Sequence, residues 1–326
     1  MLNIDEGILK MLKSQDDHYV SQTYLKQFID LSNPGYLNVY RKAYPTKSKP
    51  RTPRSICYEP DGDSNPYFPM NPRILDDFLK LIEPQWEKII TEIENEDFNF
   101  NNKLLISLYV AYLRSCGFTA KRLGKSLMEE ELELFRPFLA ENVRENIEDH
   151  ENGIDLINGL LSPDIKIVFD RDYVHAFAIK NLVHVGTTYH NLPWIIIKNN
   201  SSKPFITSDN PAILIYYPDK WYPDTYVPLT PTLSILIPGD PYHKFIGKNL
   251  PSKITIAGVE SVEIFNCEIV KFAEDKIISS LKDDWIRDMV QKYRNWRVES
   301  VSVKISESDK ECLYQLSQKA VEVIKK

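Results

Sequence analysis

The sequence predicts an α+β protein: a helical N-terminal part packed with a mixed or antiparallel sheet, with helices towards the C-terminus. Two observations carry this. From Ile74 to Leu161 apolar residues recur at three-to-four spacing, the period of a helix with one buried face. From Trp194 onward the period changes, and IIIK, FIT, AILIYY, YVPL, LSILI, ITIA and VEIFN follow as short β-branched or aromatic runs. Pro, Gly, Asn and Asp separate these runs, as they separate strands. The chain divides into an N-terminal segment, 1–73, a helical subdomain, 74–163, and a sheet-containing subdomain, 164–326, expected to form one composite domain.

The elements follow in order. Ile4, Ile8, Met11 and Leu12 give a short lead-in helix. In HYVSQTYLKQFID, the spacing of Tyr19, Val20, Tyr24, Leu25 and Phe28 predicts a second helix, capped by Ser14 or Asp17. His18 and Gln22 then stand one helical turn apart on one face. Pro34-Gly35 closes it before a strand at Tyr36–Arg41. RKAYPTKSKPRTPR, residues 41–54, holds six basic residues, no acid and three prolines; it reads as an exposed loop, part of a long irregular connection over 42–73. Leu75, Phe78, Leu79, Ile82, Trp86, Ile89 and Ile93 trace one helical stripe with a kink at Pro84. Leu104–Cys116 is apolar nearly all round and reads as the central buried helix, with Arg114 near its end. Residues 120–161 add two helical segments broken at Pro137 and Gly153. Ile165–Phe169 is strand-like, and Asp170–Tyr189 returns to helical spacing. After the strands come a helix over Val270–Arg294, a strand over Trp296–Ile305 and a last helix. That helix carries Leu313, Leu316, Ala320 and Val323 behind a capping box at Ser308–Glu311.

With 43% hydrophobic residues and a net charge of −6, the chain can fill a core, and its surface as a whole does not attract nucleic acid or anionic lipid. Any such binding needs a local patch. Four cysteines lie far apart, which argues against both a zinc site and a disulfide framework. The N-terminal residues form neither a signal peptide nor a membrane anchor, so a cytoplasmic protein without membrane partners is expected.

The order HYVSQTYLKQF, the IEPQW helix, FITSDNP and PLTP resembles a mostly bacterial family designated domain of unknown function forty-two thirty-eight, over about residues 18–280. His18, Tyr19, Val20, Leu25 and Phe28 match its His-Tyr-Val opening, with Ser21 where proline is usual. Thr207, Ser208, Asp209, Asn210 and Pro211 match its Ser-Asp-Asn-Pro corner in full. Pro228, Leu229, Thr230 and Pro231 match a later element with threonine in place of serine, and Asn266 is a further family position. The resemblance supplies a pattern and no activity.

No phosphate loop, metal-ligand motif or nucleophile signature names a reaction. Ser208-Asp209-Asn210-Pro211 is by itself a sound turn, because Asp and Ser side chains bond nearby N–H groups and Pro211 holds Asn210 extended. Its functional reading sends Asp209 and Asn210 into a cleft, where a carboxylate binds a cation or orients a histidine. His18, structural beside Tyr19 or an acid–base group, is expected within hydrogen-bond reach of Asp209 or Asn210. Glu83 and Glu87 face solvent, or Glu83 joins Asp209 in holding Mg²⁺ or Mn²⁺. Gln22, Arg114, Ser208, Asn210, Thr230 and Asn266 are the candidate ligand-binding residues. Lys49, Arg51 and Arg54, interleaved with Tyr40, Tyr44 and Tyr58, could bind nucleic acid or a nucleotide. The expected function is a phosphate-ester hydrolase or nuclease using His18 and Asp209. The alternative is a non-catalytic sensor whose cleft binds a nucleotide or a protein terminus.

Overall fold

A computed structural model describes residues 15–97, 99–147, 153–162, 164, 168–218, 220, 222–239, 252–307 and 312–323. Helices and mixed sheets make it an α+β fold. Strand β1 (Asp16–His18) pairs antiparallel with β4 (Tyr58–Pro60), setting His18 opposite Tyr58. Helix α1 (Gln22–Lys26) follows at once, its first turn capped by Ser21, whose Oγ accepts from Tyr24 N. Strands β2 (Leu37–Arg41) and β3 (Tyr44–Arg51) form a hairpin.

Helices α2 (Ile74–Ile82) and α3 (Trp86–Glu94) are joined by a 3-10 turn at Glu83–Gln85, the bend expected at Pro84. Helix α4 (Phe100–Ser115) is the central buried helix: Ile106, Tyr109, Val110 and Tyr112 have almost no exposed surface. Helices α5 (Phe118–Ile147), α6 (Gly153–Leu161) and α7 (Arg171–Asn191) follow, α7 capped by the Asp170 carboxylate.

The second half builds two sheets. Strands β5 (Ile195–Asn199), β7 (Ile213–Ile215), β8 (Asp224–Thr230), β9 (Leu233–Ile237) and β10 (Lys253–Ala257) run in the order β10-β5-β9-β8-β7, antiparallel except for β10 on β5. Strands β6 (Thr207–Ser208) and β11 (Lys276–Ser279) complete an antiparallel sheet in the order β3-β2-β11-β6. Its strands come from both ends of the family-like region, so the N-terminal hairpin and the Ser-Asp-Asn-Pro corner share one sheet. Helices α8 (Val259–Phe272) and α9 (Asp284–Tyr293) precede a hairpin of β12 (Trp296–Glu307) and β13 (Cys312–Glu322).

One buried cluster joins Tyr24, Phe28, Trp86, Tyr109, Trp194 and Val227. A second joins Tyr40, Phe205, Ile213, Val262, Ile277 and Val298. Aromatic rings meet inside the first: Trp86 and Tyr109 lie with centroids 4.7 Å apart, and large rings bury the most apolar surface per residue.

The structure corrects several expectations. His18 lies in β1 rather than on a long helix, because pairing with β4 supplies the backbone hydrogen bonds that a helix would have supplied. Most of the basic segment is strand β3 rather than an irregular loop. The strand tolerates Pro45 and Pro50 because it lies at the sheet edge, where one side of the backbone needs no partner. Lys42 is buried, its Nζ donating to the carbonyls of Lys271, Ala273 and Trp296. Helix α5 runs through Pro137 without ending there. VEIFN belongs to α8, with Val262, Asn266 and Ile269 on its buried face. Residues 273–283 separate α8 from α9, where one helix was expected from Val270 to Arg294.

The final helix is replaced by β13, in which Gln318 and Ala320 are buried at strand spacing. The facing strand β12 decides this period, which the sequence of 312–322 leaves open between two and 3.6. The capping box at Ser308–Glu311, the lead-in helix before residue 15 and Ile165–Ile167 of the expected strand lie outside the described residues.

Candidate functional site

The predicted site residues fall into three groups, the last of them the basic residues of β3 and the turn after it. The first gathers in a cleft of about 230 Å³ between β1 and α2, lined by His18, Gln22, Asp63, Arg73, Asp76 and Glu83 among others. Strand β1 ends at His18 and α1 begins at Gln22, so the turn between them puts the two side chains together, Gln22 Nε2 to His18 Nδ1 at 3.5 Å. The other ring nitrogen, Nε2, is 3.2 Å from the Arg54 carbonyl oxygen. A carbonyl only accepts, so Nε2 carries the proton and Nδ1 keeps its lone pair towards Gln22. Burial lowers the His18 pKa, more than the Arg54 carbonyl and the Asp16 and Asp17 carboxylates raise it, so the ring is neutral at pH 7.

Carboxyl groups complete the cleft. Asp17 is buried, pairs with Arg73 and accepts from Asp63 N at 3.0 Å. Asp63 is 4% exposed and its carboxylate has no hydrogen-bond donor among the described residues. Burial pushes it up to about 7, against the pull of Lys121 and Arg73. Glu83, in the 3-10 turn, is also raised by burial, with the Ser21 hydroxyl opposing. Glu87, one turn on, is exposed and does not line the cleft. Asp63 escaped sequence reasoning because it sits in an irregular run, YEPDGDSNP, with no periodicity to mark it.

The second group is built into the backbone. Asp209 Oδ1 accepts from Glu274 N at 2.9 Å, and Oδ2 accepts from Asp275 N at 3.0 Å and Lys276 N at 2.8 Å. Asp209 N in turn donates to Lys276 O. Burial raises this carboxyl, while the Lys276 ammonium and the backbone donors act against it. Ser208 Oγ accepts from Asn210 N, and Asn210 Nδ2 donates to Phe272 O. Asn266 accepts from Ile206 N and donates to Pro204 O. Thr230 Oγ1 accepts from Thr232 N. Arg114 donates to Gln318 Oε1 at 2.7 Å and to Ala212 O at 3.4 Å.

Among the described residues no hydrogen bond joins His18 to Asp209 or Asn210: each has the other partners just named. Both Asp209 oxygens are engaged, and Glu83 lines a cleft that Asp209 does not. The proposed Mg²⁺ or Mn²⁺ pair therefore does not fit, and no group of three or more His, Cys, Asp or Glu among the described residues could hold a metal ion. Thr207 links the first two groups: Tyr24 Oη lies 2.7 Å from Thr207 Oγ1 and donates to Pro228 O. The histidine motif, the Ser-Asp-Asn-Pro corner and the Pro-Leu-Thr-Pro element thus meet through one buried tyrosine.

Lys49, Arg51 and Arg54 are exposed along β3 and the turn that follows it. Arg54 is the residue whose carbonyl meets His18, so the basic strand leads to the rim of the cleft.

These features define an α+β protein in which two polar elements brace each other across a sheet, with a titratable cleft near its N-terminal strands. The chain belongs to the family described as "Protein of unknown function (DUF4238)", whose sequence pattern matches residues 17–283. Neither comparison, with curated proteins or with solved structures, gave a match. Among the described residues no helix is long and apolar enough to cross a membrane.

Proposed function

We propose that the protein is a hydrolase of phosphate esters, nucleic acid among them, working by general acid–base chemistry in the β1–α2 cleft. One observation carries this reading: a neutral histidine whose Nδ1 lone pair faces the Gln22 amide shares a small cleft with two carboxyl groups of raised proton affinity. Titratable groups whose surroundings push their proton affinities apart mark acid–base sites. His18 Nδ1 acts as base, Asp63 or Glu83 as acid, and the Gln22 amide orients the substrate. Arg73, paired with Asp17, and Lys80, paired with Asp76 and Asp77, are the cations of the same cleft. Asp209 has no chemical part in it and serves as the brace of the corner.

The test is hydrolysis of a chromogenic phosphodiester and of a labelled oligonucleotide by wild type, His18→Gln and Asp63→Asn. Activity that both substitutions remove supports the reading; no turnover above background in any condition ends it. The second reading, a non-catalytic module binding a nucleotide or a protein terminus in this cleft, is favoured by the Arg54 carbonyl that already occupies His18 Nε2. Calorimetric binding without turnover supports that one.

A cytoplasmic setting fits the free thiols of Cys57, Cys116 and Cys267. The segments 1–73, 74–163 and 164–326 act as one composite domain in this reading, which is supported by the cluster that draws Tyr24, Trp86 and Trp194 together.

A further inference from the structure

We infer that the outer face of the β2–β3 hairpin is a binding site for single-stranded nucleic acid, carried by Lys47, Lys49 and Arg51 with Tyr44 as the stacking surface. The site stands on this face alone and does not depend on the chemistry of the cleft.

Strand β3 is an edge strand, and Lys49 and Arg51 lie opposite Val39 and Leu37, one pleat apart on one face. The register shift beside Arg41 leaves Pro45, Thr46 and Lys47 unpaired with β2, which opens the face there. The result is a cavity of about 480 Å³ lined by Val39, Ala43, Tyr44, Pro45 and the cations Arg41, Lys47, Lys49 and Arg51. No carboxylate lines it.

Arg41 is paired with Asp275 and lies 5.6 Å from the Tyr44 ring centroid. Lys47, Lys49 and Arg51 are exposed, and no carboxylate among the described residues pairs with them. Three exposed cations without an ion pair, at strand spacing in a chain of net charge −6, are a local exception to its electrostatics; Asp283 and Asp284 share a neighbouring cavity with Lys47 and Lys49 but do not line this one.

Charges and prolines on an edge strand also prevent strand-to-strand aggregation. That role needs no cavity and no exposed ring. Here an apolar floor lies beside the cations, and Tyr44 is 66% exposed. An unpaired base offers a flat face for the ring and a phosphate for each cation, whereas a duplex keeps its bases turned inward. The strand ends at Arg51, with Arg54 three residues on at the cleft rim, so a bound chain is directed towards His18.

Fluorescence anisotropy with labelled oligothymidylate and oligouridylate of about 16 nucleotides tests the inference on the full chain. Three phosphate contacts give a slope of log K on log salt of about −2, so binding weakens about 20-fold between about 50 and 200 mM salt. Lys47→Gln/Lys49→Gln/Arg51→Gln flattens that slope and weakens binding at least tenfold at low salt, and Tyr44→Ala weakens it by about tenfold without changing the slope. The substituted side chains are exposed, and thermal midpoints confirm that each variant is folded. The inference is overturned by no binding at low salt, by equal affinity of the folded triple variant, or by equally tight binding of anionic vesicles.

Discussion

Replacing Asp209 with alanine removes the acceptor of three backbone N–H groups at once, those of Glu274, Asp275 and Lys276. The carboxylate is 4% exposed, so water does not replace it without opening the corner. A buried donor left without a partner costs about 1–3 kcal/mol, which puts the loss at roughly 3–9 kcal/mol for the set of three. Against a typical domain stability of about 5–15 kcal/mol, that is a large fraction. Asp209→Asn keeps the shape and one acceptor oxygen but turns an NH₂ towards N–H donors, so it falls between alanine and wild type. Equilibrium urea unfolding followed by tryptophan fluorescence measures both variants. A loss below about 1 kcal/mol for Asp209→Ala would refute the bracing role and return Asp209 to the list of chemical groups.

Tyr24→Phe leaves the buried Pro228 carbonyl without its donor and is expected to cost about 1–3 kcal/mol in the same unfolding experiment; an unchanged midpoint contradicts this. Asp63 has its proton affinity raised in the folded state to about 7, so its contribution to stability is complete below the unfolded value near pH 4 and is lost as pH rises to about 7. Asp63→Asn therefore raises stability at pH 8 by up to roughly 4 kcal/mol and leaves it little changed at pH 4, while hydrolysis disappears. A variant less stable than wild type at pH 8 would show that the lone carboxylate is paired after all. His18 has its proton affinity lowered in the folded state, so protonation favours the unfolded chain as pH falls below the ordinary histidine value. The hydrolytic rate should fall on an acid limb below the ordinary histidine value, and His18→Gln should reduce it by about 10²–10⁴-fold; a rate with no acid limb over the range in which the protein stays folded removes histidine as the base.

The sequence by itself determined the elements whose periodicity is strong and local. The stripe from Leu75 to Ile93, the nearly all-apolar α4 and the β-branched runs from Ile195 to Ile237 needed no partner to be recognised, because burial of one face is written into spacing. It also marked the residues that hold the architecture: His18, Asp209, Asn210, Thr230 and Asn266 are each engaged at a junction. What sequence could not supply was which atoms they meet. Asp209 is held by N–H groups more than sixty residues further on, and such partners follow from sheet order rather than from local spacing.

Only tertiary pairing decided that His18 is in a strand, that 312–322 is a strand rather than a helix, and that the proline-rich basic segment is a sheet edge. In each case local propensity permitted two states, and hydrogen bonds to a distant strand selected one. The cleft is likewise a product of the fold. Asp63 comes from an irregular run and Glu83 from a turn between helices, and their raised proton affinities arise from burial that no linear pattern records.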